Sequence, residues 1–142
     1  MQTSLLFTYN YNATAHVVIN QGGSSSGKTY SIEQVLFCIA CEQEKQVITI
    51  VGQDIPNLKA GALRDAITIY NSSNILLMAV KSYNKTDRIF EFNNGSIIEF
   101  KSYEDGQDAK SGKRNTCLLM KLMALIGMYI PNWRCVLKNA SV

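Results

Sequence analysis

Apolar residues recur in the first third of the chain in an order that predicts strand, loop, helix and strand. The run His16–Asn20 is short, continuous and rich in β-branched residues, which favours a buried strand. In Thr29–Glu44 the apolar residues recur every three or four positions, the period of a helix, and Gln46–Gln53 is a second apolar run. We therefore predict a βαβ unit whose two strands lie parallel in one sheet.

The middle of the chain predicts another helix and a hairpin. Leu58–Tyr70 has helical spacing, although Gly61 weakens it. In Asp87–Ser102 two alternating runs flank the pair Asn94-Gly95, which accepts the positive φ of a tight turn. The alternation places apolar residues on one face of each strand, and these are Phe90, Phe92, Ile98 and Phe100.

The loop between the first strand and helix has the pattern G-x-x-x-x-G-K-[ST] of a phosphate-binding loop. Its residues, predicted to bind ATP with Mg²⁺, are Gly22, Gly23, Ser24, Ser25, Ser26, Gly27, Lys28 and Thr29. Glycines let successive backbone amides turn toward a phosphate, and the following helix presents its positive N-terminal end. Lys28 is expected to bridge the β- and γ-phosphates, and the Thr29 hydroxyl to bind magnesium. Because a predicted strand precedes the loop and a predicted helix follows it, we favour a phosphate-binding loop over a flexible Gly/Ser loop.

Composition limits the class of protein. The chain has 142 residues, 46% of them hydrophobic, enough for one domain with a core. A net charge of +3 is too small to establish nucleic-acid binding. The N-terminus shows no signal peptide, and the apolar run Cys117–Ile130 is too short to span a bilayer, so we expect a soluble intracellular protein.

The cysteines and the histidine do not predict a metal site. Cys38 and Cys41 form a C-x-x-C pair, but they lie in a predicted helix and no second ligand pair has suitable spacing. We interpret them as small buried side chains on one helical face. His16 begins an apolar strand, and we assign it a structural role.

Four segments together resemble the N-terminal ATPase domain of phage terminase large subunits, the motors that package viral DNA. They read "QGGSSSGKTYSIEQ", "IVGQDIPNLKAGALRDA", "DRIFEFNNGSIIEFKS" and "DAKSGKRN", in that order, within residues 16–115. The resemblance implies an α/β fold of the P-loop NTPase type, with a mainly parallel sheet flanked by helices and a β-hairpin. It also implies that the chain is the product of a phage or prophage gene and resides in the cytoplasm of a bacterial host. The partners implied for intact relatives are double-stranded DNA, the portal protein, the small terminase subunit and further copies of the chain, with no membrane.

One loop position departs from the family pattern. Many members carry arginine two residues after the first glycine, where this chain has Ser24. Arg64 and Arg114 are the alternatives for that charge, and ordinary surface cations are the simpler interpretation of both.

The resemblance ends at Asn115, which divides the chain into a partial ATPase domain (1–115) and an apolar tail (116–142). Relatives continue into an apolar strand ending in a catalytic acid, then a coupling motif and a nuclease domain. Here no Asp or Glu follows Asp108, so we predict ATP binding with no catalytic residue for hydrolysis and no nuclease.

The tail is consistent with a shift of reading frame near Asn115. Joining the last base of each codon to the first two of the next forces Glu across Met120-Lys121 and Gly across Met123-Ala124, and permits an apolar run before that Glu. On this hypothesis the tail is non-native, and the central sheet position beside the loop-bearing strand is unfilled. The alternative is a genuine apolar helix over Leu118–Tyr129.

Two other functions stay open. Another small P-loop NTPase or kinase-like protein could use Asp54, after the second strand, as its magnesium-associated acid, although an Asp before Pro56 is also typical of a helix cap. A DNA-binding or assembly module could contact phosphates through Lys110–Arg114, a segment more typical of a solvated loop.

Overall fold

The computed structural model describes residues 2–15, 17–22, 27–102, 114–120 and 133–139. In this part the chain is a mixed α/β fold in which helices pack against one sheet. The helices are α1 (Leu5–Tyr11), α2 (Lys28–Glu42), α3 (Ile55–Leu58), α4 (Arg64–Ser72) and α5 (Asn74–Ala79). The strands are β1 (Val17–Gly22), β2 (Val47–Gly52), β3 (Val80–Asn84), β4 (Ile89–Phe92), β5 (Ile97–Ser102), β6 (Thr116–Met120) and β7 (Trp133–Asn139).

The strands form one sheet in the order β1-β7-β6-β2-β5-β4-β3. β2 pairs in parallel with β5 and β6, and the other four described pairings are antiparallel. The prediction of a mainly parallel sheet is therefore wrong, because β7 and β3 each add antiparallel pairing that the sequence patterns did not indicate. The βαβ prediction is confirmed: β1 and β2 share the sheet and run in the same direction, with β7 and β6 between them.

The predicted hairpin is also present. β4 and β5 pair antiparallel, and Gly95 has a φ of 84° in the turn between them. All four apolar residues predicted for one face are at most 3% exposed. Phe90 lies at the centre of an aromatic group, with its ring 4.3 Å from that of Tyr83 and 5.4 Å from that of Phe37 on α2. The hairpin is therefore fixed to α2 by the main core.

The helix predicted over Leu58–Tyr70 is longer and contains an irregular turn. α3 and α4 are joined without a break by a π-helical segment, Lys59–Leu63, which includes Gly61. Leu58, Ala66 and Ile69 on this helical run are 1% exposed or less and pack in the same core as α2. The run begins at the end of β2 and covers the face of the sheet to which α2 is bound.

The segment after Asn115 contributes strands in its described portions. Thr116–Met120 is β6, paired in parallel with β2, and β7 pairs with both β6 and β1. The alternative of a helix beginning at Leu118 is therefore wrong for Leu118–Met120, since Leu118 is a fully buried strand residue in the core. The expected gap beside β1 is occupied by β7. Residues 121–129 of the predicted helix lie outside the described part.

Candidate phosphate-binding site at the carboxyl edge of the sheet

The loop pattern lies at the edge of the sheet where ligands of α/β proteins usually bind. β1, β6, β2 and β5 all run in one direction, so their carboxyl ends meet along one edge. In open α/β sheets, ligands bind outside this edge. Gly22 is the last residue of β1, and α2 begins at Lys28. Gly23, Ser24, Ser25 and Ser26 lie outside the described residues.

The end of the loop has the backbone geometry that the pattern predicts. Gly27 is the N-cap of α2 with a φ of 73°, in the left-handed region that glycine adopts without cost. Its carbonyl accepts the first helical bond from the Ser31 amide at 3.0 Å. No acidic side chain occupies the first turn of α2, so its positive end is not neutralised from within.

Lys28 and Thr29 occupy the first two positions of α2. Lys28 is only 7% exposed, and Thr29 is half-buried. A lysine is rarely buried to this extent unless its ammonium group pairs with a charged or polar group. These residues fit a magnesium–nucleotide complex, since magnesium in such sites takes few protein ligands and keeps phosphate oxygens and waters. No group of three or more His, Cys, Asp or Glu side chains able to hold a metal occurs in the described ranges.

An N-terminal segment that the sequence patterns did not indicate is tied to the loop-bearing elements. Ser4 and Ser31 hydroxyls lie 2.7 Å apart, and Gln34 Nε2 donates to the Gln2 carbonyl at 2.7 Å. Deeper in the fold, the Asn10 and Asn20 amides exchange two hydrogen bonds of 3.0 and 2.8 Å, with both side chains at most 7% exposed. Because Asn20 lies on β1 two residues before Gly22, α1 is joined to the strand that carries the loop.

The Ser4–Ser31 and Gln2–Gln34 contacts border a cavity of about 560 Å³ beside the start of α2. It has the size of a small-molecule pocket. Polar side chains dominate its lining, which consists of Gln2, Thr3, Ser4, Tyr30, Ser31, Gln34 and Ser72. Tyr30 and Ser31, which line the cavity, directly follow Thr29, the residue whose hydroxyl is predicted to bind the metal.

Asp54 lies near this edge but is engaged as a helix cap. It is the N-cap of α3, and its Oδ1 accepts from the Asn57 amide at 2.7 Å. Its Oδ2 accepts from Asn57 Nδ2 at 2.6 Å. Both carboxylate oxygens are thus used locally, which favours the cap interpretation over that of a magnesium-associated acid.

Glu33 is a buried carboxyl group that sequence reasoning missed. It is 0% exposed, and neither oxygen has a hydrogen-bond partner. Burial, and secondarily the nearby charge of Asp65, raises the pKa of Glu33 well above its ordinary value. Burial also raises the pKa of Asp65 on α4, an effect that Arg64 partly opposes. Both effects favour the protonated form of Glu33. An acid four residues after Thr29, on an otherwise apolar helical face, is the signal that could have identified it.

The two arginines considered as substitutes lie in unsuitable places. Arg64 is exposed at the start of α4. Arg114 precedes Asn115, whose amide and side-chain oxygen both bond to Val47 at the amino end of β2. A strand of this length separates that end from the carboxyl edge by about 17–20 Å. Arg114 therefore cannot reach the phosphate site.

The cysteines have the environment of structural residues. Cys38 and Cys41 are half-buried on α2. Burial, with the charge of Glu42, raises the pKa of Cys38 to about 11 and also raises that of Cys41. Both thiols remain protonated near neutral pH and are poor metal ligands and nucleophiles. His16 lies outside the described residues.

Comparisons with protein-family models, curated proteins and solved structures give no match for this chain. Among the helices of the described ranges, none is long and apolar enough to cross a membrane.

Proposed function

We propose that the chain is a P-loop NTPase-type domain that binds ATP with Mg²⁺ through residues 22–29. The observation that carries this proposal is the start of α2, where left-handed Gly27, buried Lys28 and half-buried Thr29 follow β1 at the carboxyl edge. A phosphate chain placed there would meet the amide groups of a helix N-terminus and a lysine ammonium. The Thr29 hydroxyl would hold the metal, which would neutralise phosphate charge.

The cavity at Gln2–Ser4 and Tyr30–Gln34 supports the placement of the rest of the nucleotide. Tyr30 and Ser31 of its lining directly follow Thr29 in sequence, and its wall offers hydroxyl and amide groups together with the Tyr30 ring. Such a mixture suits a ribose, which forms hydrogen bonds, and a base, which stacks on an aromatic face. We place the base and ribose in this cavity.

The proposed activity is binding, with hydrolysis slow or absent. β6 lies between β7 and β2 with its carboxyl end at the site edge, and it ends in Met120. No Asp or Glu occurs after Asp108, so β6 brings no carboxylate to that edge. Without such a group, nothing on β6 orients an attacking water.

The broader proposal is that the chain is the N-terminal part of a viral DNA-packaging ATPase. The order of the loop, the α3–α4 helical run and the β4–β5 hairpin supports it, because these elements carry the resembling segments. In that setting the partners are double-stranded DNA, portal protein, the small terminase subunit and further copies of the chain. The basic segment Lys110–Lys113 lies outside the described residues, and no structural observation favours a separate DNA-binding function.

Isothermal titration calorimetry with Mg-ATP tests binding directly. Lys28→Ala should weaken binding about a hundredfold, since a hydrogen bond to a charged group contributes up to about 3 kcal/mol. Lys85→Ala is the matched control, because exposed Lys85 follows β3, six strand positions or about 29 Å from β1. Equal affinities for the wild type and the Lys28 variant would refute the proposed site. Steady-state ATP turnover above ~1 s⁻¹ would refute the proposal that the chain binds ATP without hydrolysing it efficiently.

A further inference from the structure

The two edges of the sheet differ in how they resist pairing with another strand. Among the described strands, β1 and β3 are the outer members of the sheet. The register of β3 on β4 shifts between Val80 and Ser82, so Lys81 is an extra, exposed residue of this edge strand, and exposed Lys85 follows the strand directly. Bulges and lysines keep other strands away from the edges of natural sheets. β3 is therefore a protected edge.

β1 has none of these protections. Its six residues, VVINQG, include no charged residue and no proline, and its register on β7 is continuous from Val17 to Gly22. Among the described residues, no loop or helix forms a backbone hydrogen bond with this strand. An edge strand with these properties is a template for pairing with another strand.

Exposed apolar side chains flank β1 on both faces of the sheet. Asn20 bonds to Asn10 on α1, so α1 lies over β1 on one face. Ile19 alternates with Asn20, so it points to the other face, where it is 55% exposed. On α1, Leu5 and Tyr9 are one helical turn apart and are 71% and 69% exposed. Because α1 and β1 carry no charged residue, a second copy of the chain would meet no like charge on these two elements.

We propose that β1 is a dimer interface, at which the β1 strand of a second copy of this chain pairs antiparallel across a two-fold axis. Such pairing joins the two sheets into one, and both remaining edges are then the protected strand β3. The interface uses the same surface on both copies, so assembly closes at a dimer. A second copy is favoured over a foreign strand because its far edge is protected in this structure. The proposal goes beyond nucleotide binding and does not depend on it.

The geometry of the pairing sets its expected strength. An axis beside Ile19 would place the two Ile19 side chains directly opposite each other, with about 5 Å between their Cβ atoms. The two Gly22 residues would then lie roughly 20 Å apart, so the loop-bearing ends of the strands do not meet. Burial of Ile19, Leu5, Tyr9 and the paired backbone of both copies would remove on the order of 1,000 Å² from water, which is at the low end for specific association. We therefore expect a dissociation constant in the micromolar range.

Sedimentation velocity of the whole chain over a range of concentrations tests this interface. The wild type should change from monomer to dimer as its concentration rises. Ile19→Lys should weaken dimerisation at least about tenfold, because it sets two like charges opposite each other on an edge strand. Tyr9→Lys should also weaken it, through the loss of apolar contact. Ile75→Lys is the matched control and should dimerise as the wild type does, since Ile75 is 74% exposed on α5, which precedes the protected edge.

Three results would overturn the proposal. They are a wild type that stays monomeric at about 100 μM, assemblies larger than a dimer, and dimerisation that Ile75→Lys abolishes while Ile19→Lys retains it. Should Ile19→Lys fold poorly, hydrogen exchange of the wild type provides the second measurement. The β1 amides should exchange more slowly above the dissociation constant than below it, and equal rates refute strand pairing. Lys28→Ala should dimerise normally, so failure of the nucleotide site and failure of the interface are distinguishable.

Discussion

Replacing Glu33 by methionine should stabilise the protein and reduce the dependence of its stability on pH. Glu33 is 0% exposed with two unpartnered oxygens, and an unsatisfied buried polar group costs about 1–3 kcal/mol. Methionine has a similar shape and carries no group that needs a partner, so Glu33→Met should recover about 2 kcal/mol near pH 4.5, below which the carboxyl group is protonated in the folded and the unfolded state. The gain should grow as pH rises.

The sign of the pH effect follows from the direction of the pKa shift. The folded-state pKa of Glu33 lies well above 4.5, so the native state holds a proton that the unfolded chain releases. The stabilising contribution of the protonated form is complete below about pH 4.5 and is lost as pH rises through the folded-state pKa. Between the two pKa values the free energy of unfolding should fall by about 1.4 kcal/mol per pH unit.

Urea unfolding followed by circular dichroism between pH 5 and pH 8 measures both effects. The wild type should lose stability across this range, and Glu33→Met should retain only the smaller slope due to Asp65, whose pKa is raised in the same direction. Glu44→Gln, which changes an exposed carboxylate, should keep the wild-type slope. Equal slopes in the wild type and Glu33→Met would refute the reasoning, since they would mean that Glu33 is not buried in its neutral form.

Three further predictions concern the loop, the N-terminal helix and the coding sequence. Gly27→Ala should lower the free energy of unfolding in urea by about 1–2 kcal/mol, because Gly27 has a positive φ. Gly61→Ala, which also has open space but lies in a helical segment, should stabilise the protein slightly, and equal effects of the two substitutions would contradict the role of backbone conformation. Asn10→Ala and Asn20→Ala should each cost about 1–3 kcal/mol, and the double variant should cost less than their sum; simple additivity would contradict a mutual pair. Sequencing the gene should reveal, one base out of frame after codon 115, an open reading that encodes an apolar run ending in Glu, and a stop codon in that run would refute the shifted frame.

The elements with strong local signals could be predicted from the sequence. α2, β2 and the β4–β5 hairpin follow from the apolar period and from the Asn94-Gly95 turn, because each buries a face that its own residues define. β1 is present as predicted but is less buried than its apolar run indicates, since Ile19 is 55% exposed. The left-handed Gly27 follows from the loop pattern, because that pattern has a glycine where the backbone turns into the helix. The carboxyl edge as the site follows once the strand directions are known.

Other features depend on partners that are distant in sequence. The position of β7 between β1 and β6 is decided by pairing along the whole sheet, which local apolar patterns do not report. The Asn10–Asn20 pair is visible only when α1 packs on β1, since each amide alone is typical of a turn. Glu33 was overlooked because glutamate is common in helices, and only the packing of α4 shows that this one is enclosed.

The pairing of β1 with β7 affects how the chain folds during synthesis. β1 leaves the ribosome well before its partner strand β7, because residues 23–132 lie between the two strands. Until β7 is made, the backbone amide groups of β1 lack this pairing strand, although Asn10 on α1 can already form its hydrogen bonds with Asn20. Contacts between distant parts of a chain form slowly and leave strand edges exposed to aggregation meanwhile. Completion of the loop-bearing side of the sheet therefore waits until β7 has been synthesised, and aggregation competes with folding during that interval.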